Sequence, residues 1–387
     1  MTDLDRLLAF AARSALPGGG FGYLGADGQV LPRPQETWIV ARMTHVFGLA
    51  HLLGRPGAEA LAASGVAALR GGPLHDAEHG GWRAAEDDGT KSAYVHAFAV
   101  LAGATATTAG IAGGRALLDE ALEVWDRRFW DDAEGLAAEE WTPDWSRLSD
   151  YRGANANMHG VEATLAAADA LGGDDAVRLR RRALRSVERV VHGWARERDW
   201  RLPEHFTAGW EPLPEHNRDR PADPFRPYGV TVGHQFEWAR LALHLRAALG
   251  EGAPPWLLDD AVALFGAAAG RGWAADGAPG FPYTLGWDDR PVVPARMHWV
   301  LCEAVAAAGV LGAVTGEESF GDLARTWRAH GEERFADPAT GSWHHELTPS
   351  GEVASGTWAG QPDAYHLAQM LLLDGRPVRG SVAAALR

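Results

Sequence analysis

Six times along the chain a short polar break, most often glycine-containing, runs into a buried-type apolar residue: Gly18-Gly-Gly-Phe-Gly-Tyr23, Gly80-Gly-Trp82, Glu134-Gly-Leu136, Asp199-Trp-Arg-Leu202, Pro279-Gly-Phe-Pro-Tyr283 and Gly341-Ser-Trp343. The breaks recur about every 60 residues, with one longer interval between the fourth and fifth, and a fixed period of this kind marks a repeated supersecondary unit. Each interval has room for two helices and a short extended turn. Apolar spacing predicts helices over Thr37 to Leu53, Lys91 to Thr108, Arg115 to Phe129, Asn157 to Leu171, Ala176 to Arg196, His234 to Leu249, Leu257 to Arg271, Ala295 to Thr315, Ser319 to Phe335 and Tyr365 to Leu373. Alanine and leucine dominate them, and strand-like alternation is confined to short pieces beside the breaks. Six helix pairs close into a double ring, so the expected fold is all-α, an (α/α)6 barrel with short extended turns between helix pairs. The apolar fraction of 46% is even along the 387 residues and no linker or charge block divides them, which predicts one domain over 1–387.

In such a barrel the inner helices run parallel and present their N-termini at one end. Three predicted helix starts carry a histidine after a loop of turn-forming residues: Tyr151-Arg-Gly-Ala-Asn-Ala-Asn-Met-His159, Arg226-Pro-Tyr-Gly-Val-Thr-Val-Gly-His234 and Gly360-Gln-Pro-Asp-Ala-Tyr-His366. If all three helices are inner ones, His159, His234 and His366 converge on one cavity. An imidazole at a helix N-terminus tends to stay neutral and to accept a proton. Glu237, three residues after His234, is placed to orient it. Arg42, in the apolar segment Trp38-Ile-Val-Ala-Arg-Met-Thr-His45, needs either a carboxylate from a neighbouring helix or a polar cavity.

Composition narrows the partners. A net charge of −15 and a pI near 5.5 argue against nucleic acid and anionic membrane surfaces, which need clustered cations. The run Arg178 to Arg185 reads as a solvated helix face. The N-terminus lacks the pattern of a secretory signal and no apolar run is expected to span a bilayer, which predicts a cytoplasmic protein without a membrane partner. The single cysteine, Cys302, reads as core packing. His75-Asp-Ala-Glu-His79 lies in a glycine-bounded loop without the helical spacing of a zinc motif, His344-His345-Glu346 reads as a strand edge, and the glycines lack P-loop or dinucleotide context. No cofactor and no required metal are expected. Neutral imidazoles beside a buried cation suit proton transfer at a carbon next to a carbonyl, as at C2 of an open-chain aldose.

The four segments around Arg42, His159, His234 and His366 together resemble the N-acylglucosamine 2-epimerase superfamily, over about Gly18 to Leu373. Within it they are most similar to the branch of mannose and sulfoquinovose isomerases. The resemblance implies a monosaccharide substrate, metal-free chemistry through an enediol, and His234 and His366 as acid and base with His159 beside them. It also implies substrate contacts from Arg42, Asn155, Glu237 and Trp38, with Tyr94 and His96 as looser assignments, and closure of the site by the loop 209–225. Pro224 and Pro362 offer no donor to a sulfonate, which favours a neutral hexose, with mannose and fructose as the pair and lyxose and xylulose as a second one. A sulfoquinovose isomerase, a 2-epimerase and, on fold alone, a glycoside hydrolase using Glu139, Glu140, Glu237 or Asp363 are the competing readings. A homo-oligomer is left open.

Overall fold

The computed structural model describes residues 3–387. Its helices, in chain order, are α1 Asp3–Ala11, α2 Thr37–Leu52, α3 Ala58–Gly71, α4 Ala93–Thr108, α5 Gly114–Val124, α6 Ala154–Leu171, α7 Gly173–Val187, α8 Val232–Leu249, α9 Trp256–Gly272, α10 His298–Thr315, α11 Glu318–Arg334, α12 Tyr365–Leu373 and α13 Val382–Ala385. The even-numbered helices α2 to α12 each touch the next, and α12 returns to α2, so they form a closed inner ring. Each packs against an outer partner, α3, α5, α7, α9 and α11 in turn, and α12 takes α1 from the other end of the chain. The expected (α/α)6 barrel is the fold.

Inner and outer helices differ as their places require. In α4 every residue from Val95 to Ala106 is buried, because neighbours cover it on all sides. In α7 the buried positions Ala176, Leu179, Ala183 and Val187 make one stripe at three- and four-residue spacing. The arginines of α7 face outward, yet they are not merely solvated: Arg178 and Arg182 hold Asp126, Arg180 holds Asp169, and Arg185 holds Asp132. Both α5 and α7 continue into wider π turns, over Trp125–Phe129 and Glu188–Ala195.

Each of the six sequence breaks follows an outer helix, and its apolar residue is a core plug: Phe21, Trp82, Leu136, Leu202, Phe281 and Trp343 are all buried. Two or three residues further on, the backbone meets the start of an inner helix. The first N–H groups of α2, α4, α6, α8 and α10 are accepted by the carbonyls of Ala84, Glu139, Glu204, Tyr283 and His345, at 2.7–3.3 Å. Two-residue strands before the inner helices complete this junction. Arg152–Gly153 pairs with His205–Phe206, and Arg296–Met297 pairs with Glu346–Leu347. One orphan donor per inner helix is thereby satisfied.

Two expectations need correction. Sequence pattern did not reveal α1, α3 or α13. For α3 the reason is glycine: Gly65 and Gly71 weaken a helix pattern, yet a Cβ on Gly65 would lie 2.0 Å from Thr44 Oγ1, so that glycine is what lets α3 close on α2. And one apolar run does reach spanning length: α10 has a mean hydropathy of 1.5 over 18 residues, but 72% of it is buried as an inner-ring helix.

One close helix approach gives a test. A Cβ at Gly103 of α4 would sit 2.7 Å from the backbone nitrogen of Leu118 in α5, and backbone cannot be turned aside. Gly103→Ala should lower stability by about 2 kcal/mol or more. Gly266→Ala, on exposed α9 with open space around it, should raise stability by up to about 1 kcal/mol. Denaturant midpoints of the two variants check both.

Candidate active site

All six inner helices begin at the same end of the barrel. Their second residues, Trp38, Tyr94, Asn155, Gly233, Trp299 and His366, ring the axis there, and all but the glycine line one small cavity. A Cβ on Gly233 would lie 2.2 Å from the Trp299 ring, so Trp299 fills the space that this position leaves. Four residues along, the same faces present Arg42, His159 and Glu237 to the cavity. His298 and His345, and Pro224, Phe225, Trp358 and Asp363 from connecting segments, complete the wall. A wider groove at the far end, along α10 and residues 374–378, gathers alanine, glycine and valine and no imidazole.

His234 and His366 are held alike. Nδ1 of His234 lies 3.0 Å from both carboxylate oxygens of Glu204, and Nδ1 of His366 lies 2.9 Å from Oε1 of Glu303. A carboxylate can only accept, so in each ring Nδ1 carries a proton, and in the neutral ring the lone pair is on Nε2. The Trp299 ring stands near both, with centroids 5.2 Å from His234 and 5.5 Å from His366. Burial, with Arg42 next, holds the His366 imidazolium well below the ordinary range.

His159 is deeper. It belongs to the second turn of α6, not the first, with Nδ1 3.5 Å from Glu162 and 3.7 Å from Glu237. Burial lowers its pKa to about 4, so it is neutral at pH 7. Glu237 does not orient His234, against expectation: the Nδ1 of His234 is taken by Glu204. Both Glu237 oxygens lack a hydrogen-bond partner. Burial, reinforced by the charge of Glu303, pushes this carboxyl well above its usual range. Glu162 stays low despite burial, held by His159 and Arg240 and by donors from Tyr365 and Gln369.

Arg42 satisfies both readings of its sequence. Its Nη1 binds Asp363 at 3.1 Å and its Nη2 donates to the Tyr94 hydroxyl at 2.8 Å, while it also faces the cavity. It stacks between Phe98 and Tyr365, 4.4 and 4.6 Å from their ring centres. Burial raises the Tyr94 pKa to about 12, so its hydroxyl keeps a proton to donate.

His96 is not part of the cavity. Two residues after Tyr94, it turns to the outer layer, accepts the Trp82 N–H at 3.1 Å and packs on Phe129. The loop Gly209 to Phe225 does reach the site, through Pro224 and Phe225, and Asn155 approaches the Phe225 carbonyl at 3.5 Å. Arg226 is tied to Glu140 at 3.0 Å. His345 proved more than a strand edge: its ring stacks on His298 at 3.8 Å and both line the cavity. His75 is committed to Glu120.

Sequence reading missed Glu204, Glu303, His298, His345 and Trp299. A signal existed for two of them. Glu204 and His345 stand two residues after a core plug, at the junction that repeats in every unit. Among the described residues, His159, Glu162 and Glu237, and Glu237, Glu303 and His366, bring ligand-type atoms within 4.8 Å of one another. The Arg240 guanidinium lies among them, 2.8 Å from Glu303 and 3.6 Å from Glu237, so carboxylates of both groups are already engaged by one cation.

The fold and cavity define a class, a six-pair helical barrel with carboxylate-anchored imidazoles at its open end. The model of the N-acylglucosamine 2-epimerase (GlcNAc 2-epimerase) family matches residues 19–370, and the chain belongs to that family. It is 51% identical over 392 residues to a D-mannose isomerase of Thermobifida fusca, covering 99% of this chain and 95% of that one. A D-mannose isomerase of Pseudomonas cannabina pv. alisalensis is 49% identical over 389 residues, with 98% and 93% covered. A crystal structure of a D-mannose isomerase superposes with a TM-score of 0.87 at 26% identity, covering 95% and 96%. A cellobiose 2-epimerase from Spirochaeta thermophila, at 22% identity and a TM-score of 0.81 over 95% and 92%, shares the fold.

Buried neutral imidazoles make stability depend on pH. Burial lowers His45, His159, His205, His244 and His298 from the ordinary value of 6.5 to about 4, and His96 to about 3. The unfolded chain binds these protons more readily, so stability is full above about pH 6.5 and is lost as pH falls toward 4. Each group removes about 1.4 kcal/mol for every pH unit that separates its folded from its unfolded value. Glu139, raised to about 7 by burial, works the other way but is outnumbered. The denaturant midpoint should fall steadily between pH 6.5 and 4.

Proposed function

We propose that the chain is an aldose–ketose isomerase that interconverts D-mannose and D-fructose by proton transfer through a cis-enediol. The observation that carries this is the pair His234 and His366. Each has Nδ1–H anchored on a carboxylate and a free Nε2, and both flank Trp299 in one cavity. The activity named for the two relatives near 50% identity supports the substrate pair.

In this reading the open-chain sugar lies with C1 and C2 between the two imidazoles. One Nε2 takes the C2 proton, the C–H electron pair becomes the C1=C2 bond, and O1 gains a proton. Return of a proton to C1 with loss of one from O2 gives the ketose. Arg42 and the Tyr94 hydroxyl supply fixed donors for the oxygen on which charge develops. His159 and Glu237 line the floor, where a neutral imidazole and a protonated carboxyl hydrogen-bond sugar hydroxyls. No step calls for a cofactor.

Replacing His234 or His366 by Asn should lower kcat by about 100-fold or more with the helix content unchanged. NMR of fructose formed from mannose in D2O should show solvent deuterium at C1. Complete transfer of a C2 label with no solvent exchange would exclude this route. Exhaustive chelation should leave turnover unchanged, and loss restored by one added divalent ion would overturn the metal-free reading.

A further inference from the structure

Below the cavity floor lies a cation that the reaction as described does not use. Arg240, in α8, is 1% exposed. The charged and titratable groups packed around it are Glu237 and His244 on its own helix, Glu162 from α6 and Glu303 from α10, with His45 of α2 on the same small cavity. Arg240 Nε donates to Glu303 Oε2 at 2.8 Å, and the other oxygen of the same carboxylate, Oε1, accepts from His366 Nδ1 at 2.9 Å. Arg240 Nη2 stands 3.6 Å from Glu237. Glu303 is therefore held from both sides, and the planar guanidinium fixes the plane of the carboxylate that in turn fixes the ring.

Resting on the isomerase reading, we propose that Arg240 is the positioning residue for His366: acting through Glu303, it keeps Nδ1 protonated and Nε2 free toward the sugar. The chemistry of the alternative makes the role specific. Only an acceptor at Oε1 puts the proton on Nδ1. A donor in that place, whether an amide or a protonated carboxyl, reverses the tautomer, and Nε2–H can no longer take a proton from carbon. Without Arg240, Glu303 would be a buried carboxylate beside Glu162 and Glu237 with no cation, the condition under which a carboxyl takes up a proton.

The test combines Glu303→Gln, Arg240→Gln and Arg240→Lys with steady-state kinetics and 15N NMR of histidine-labelled protein. Glu303→Gln and Arg240→Gln should lower kcat by about 100-fold or more while KM for mannose stays within about threefold. In both, the 15N signature of His366 should change from Nδ1–H to Nε2–H. Arg240→Lys keeps the charge and should recover kcat to within about tenfold of the unmodified protein while keeping the Nδ1–H signature. If Arg240→Gln does not fold, the volume-conserving Glu303→Gln and the charge-conserving Arg240→Lys carry the test between them. Unmodified kcat and tautomer in folded Glu303→Gln, or in folded Arg240→Gln, would overturn the proposal, as would an Nε2–H His366 in Arg240→Lys. Failure of the unmodified protein to interconvert mannose and fructose would instead sink the isomerase reading, and the tautomer measurement on the resting protein would still decide the role of Arg240.

Discussion

Arg42 and Asp363 lie 321 residues apart in sequence and 3.1 Å apart in space. Their ion pair joins the first inner helix to the segment that starts the last one, so the contact that closes the ring also builds the wall of the site. Both side chains are buried, and an isolated charge in either place would be strongly unfavourable. The compensation is dense: Asp363 also accepts the Tyr365 N–H at 2.8 Å, while Arg42 adds the Tyr94 hydroxyl and two aromatic faces. Closure without this pair would leave two desolvated charges facing each other's empty places. Ring closure and site assembly are one event.

What the pair does for shape, the carboxylates do for chemistry. Burial alone would leave the imidazoles free to turn and to choose either tautomer. Glu204 and Glu303 remove that freedom for His234 and His366. They come from different levels of the architecture, Glu204 from the residue just before the junction strand His205–Phe206 and Glu303 from within α10. The cavity thus separates two tasks by depth. Trp38, Tyr94, Trp299 and His366 line the cavity from the second positions of their helices, and charge is sorted one and two turns below.

The repeat was legible because each unit needs a core plug after its outer helix, and Phe21, Trp82, Leu136, Leu202, Phe281 and Trp343 meet that need in sequence as in space. The inner helices were legible for the same reason, since near-continuous burial writes apolar runs. The outer helix α3 was not, because its glycines serve close approach to α2 and weaken the very pattern that marks a helix. At the site, His234 and His366 stood out as imidazoles opening apolar helices and Arg42 as a charge inside one, while Asn155 followed from the family resemblance. Glu303 and Arg240 did not, since they lie in the middle of buried helices and the pairing between them joins two different repeats. Depth also hid the second-turn place of His159 and the outward turn of His96: helical phase has to be known to a residue before two neighbours on α4, Tyr94 and His96, can be assigned to opposite sides of a wall.

The pairing of α1 with α12 sets the order in which this molecule can be made. In an open array of repeats each new unit docks on the one before it, and a growing chain is covered as it lengthens. Here α1 leaves the ribosome before the rest of the barrel, and its packing partner, Tyr365–Leu373, follows only after the other five inner helices. Until then the apolar stripe of Leu7, Leu8, Phe10 and Ala11 has only its contact with α2 to cover it, and the flank of α2 that α12 will cover is bare. Synthesis therefore passes through a long stage in which five-sixths of a barrel exists with an uncovered seam, a surface suited to chaperones or to the seam of another unfinished copy.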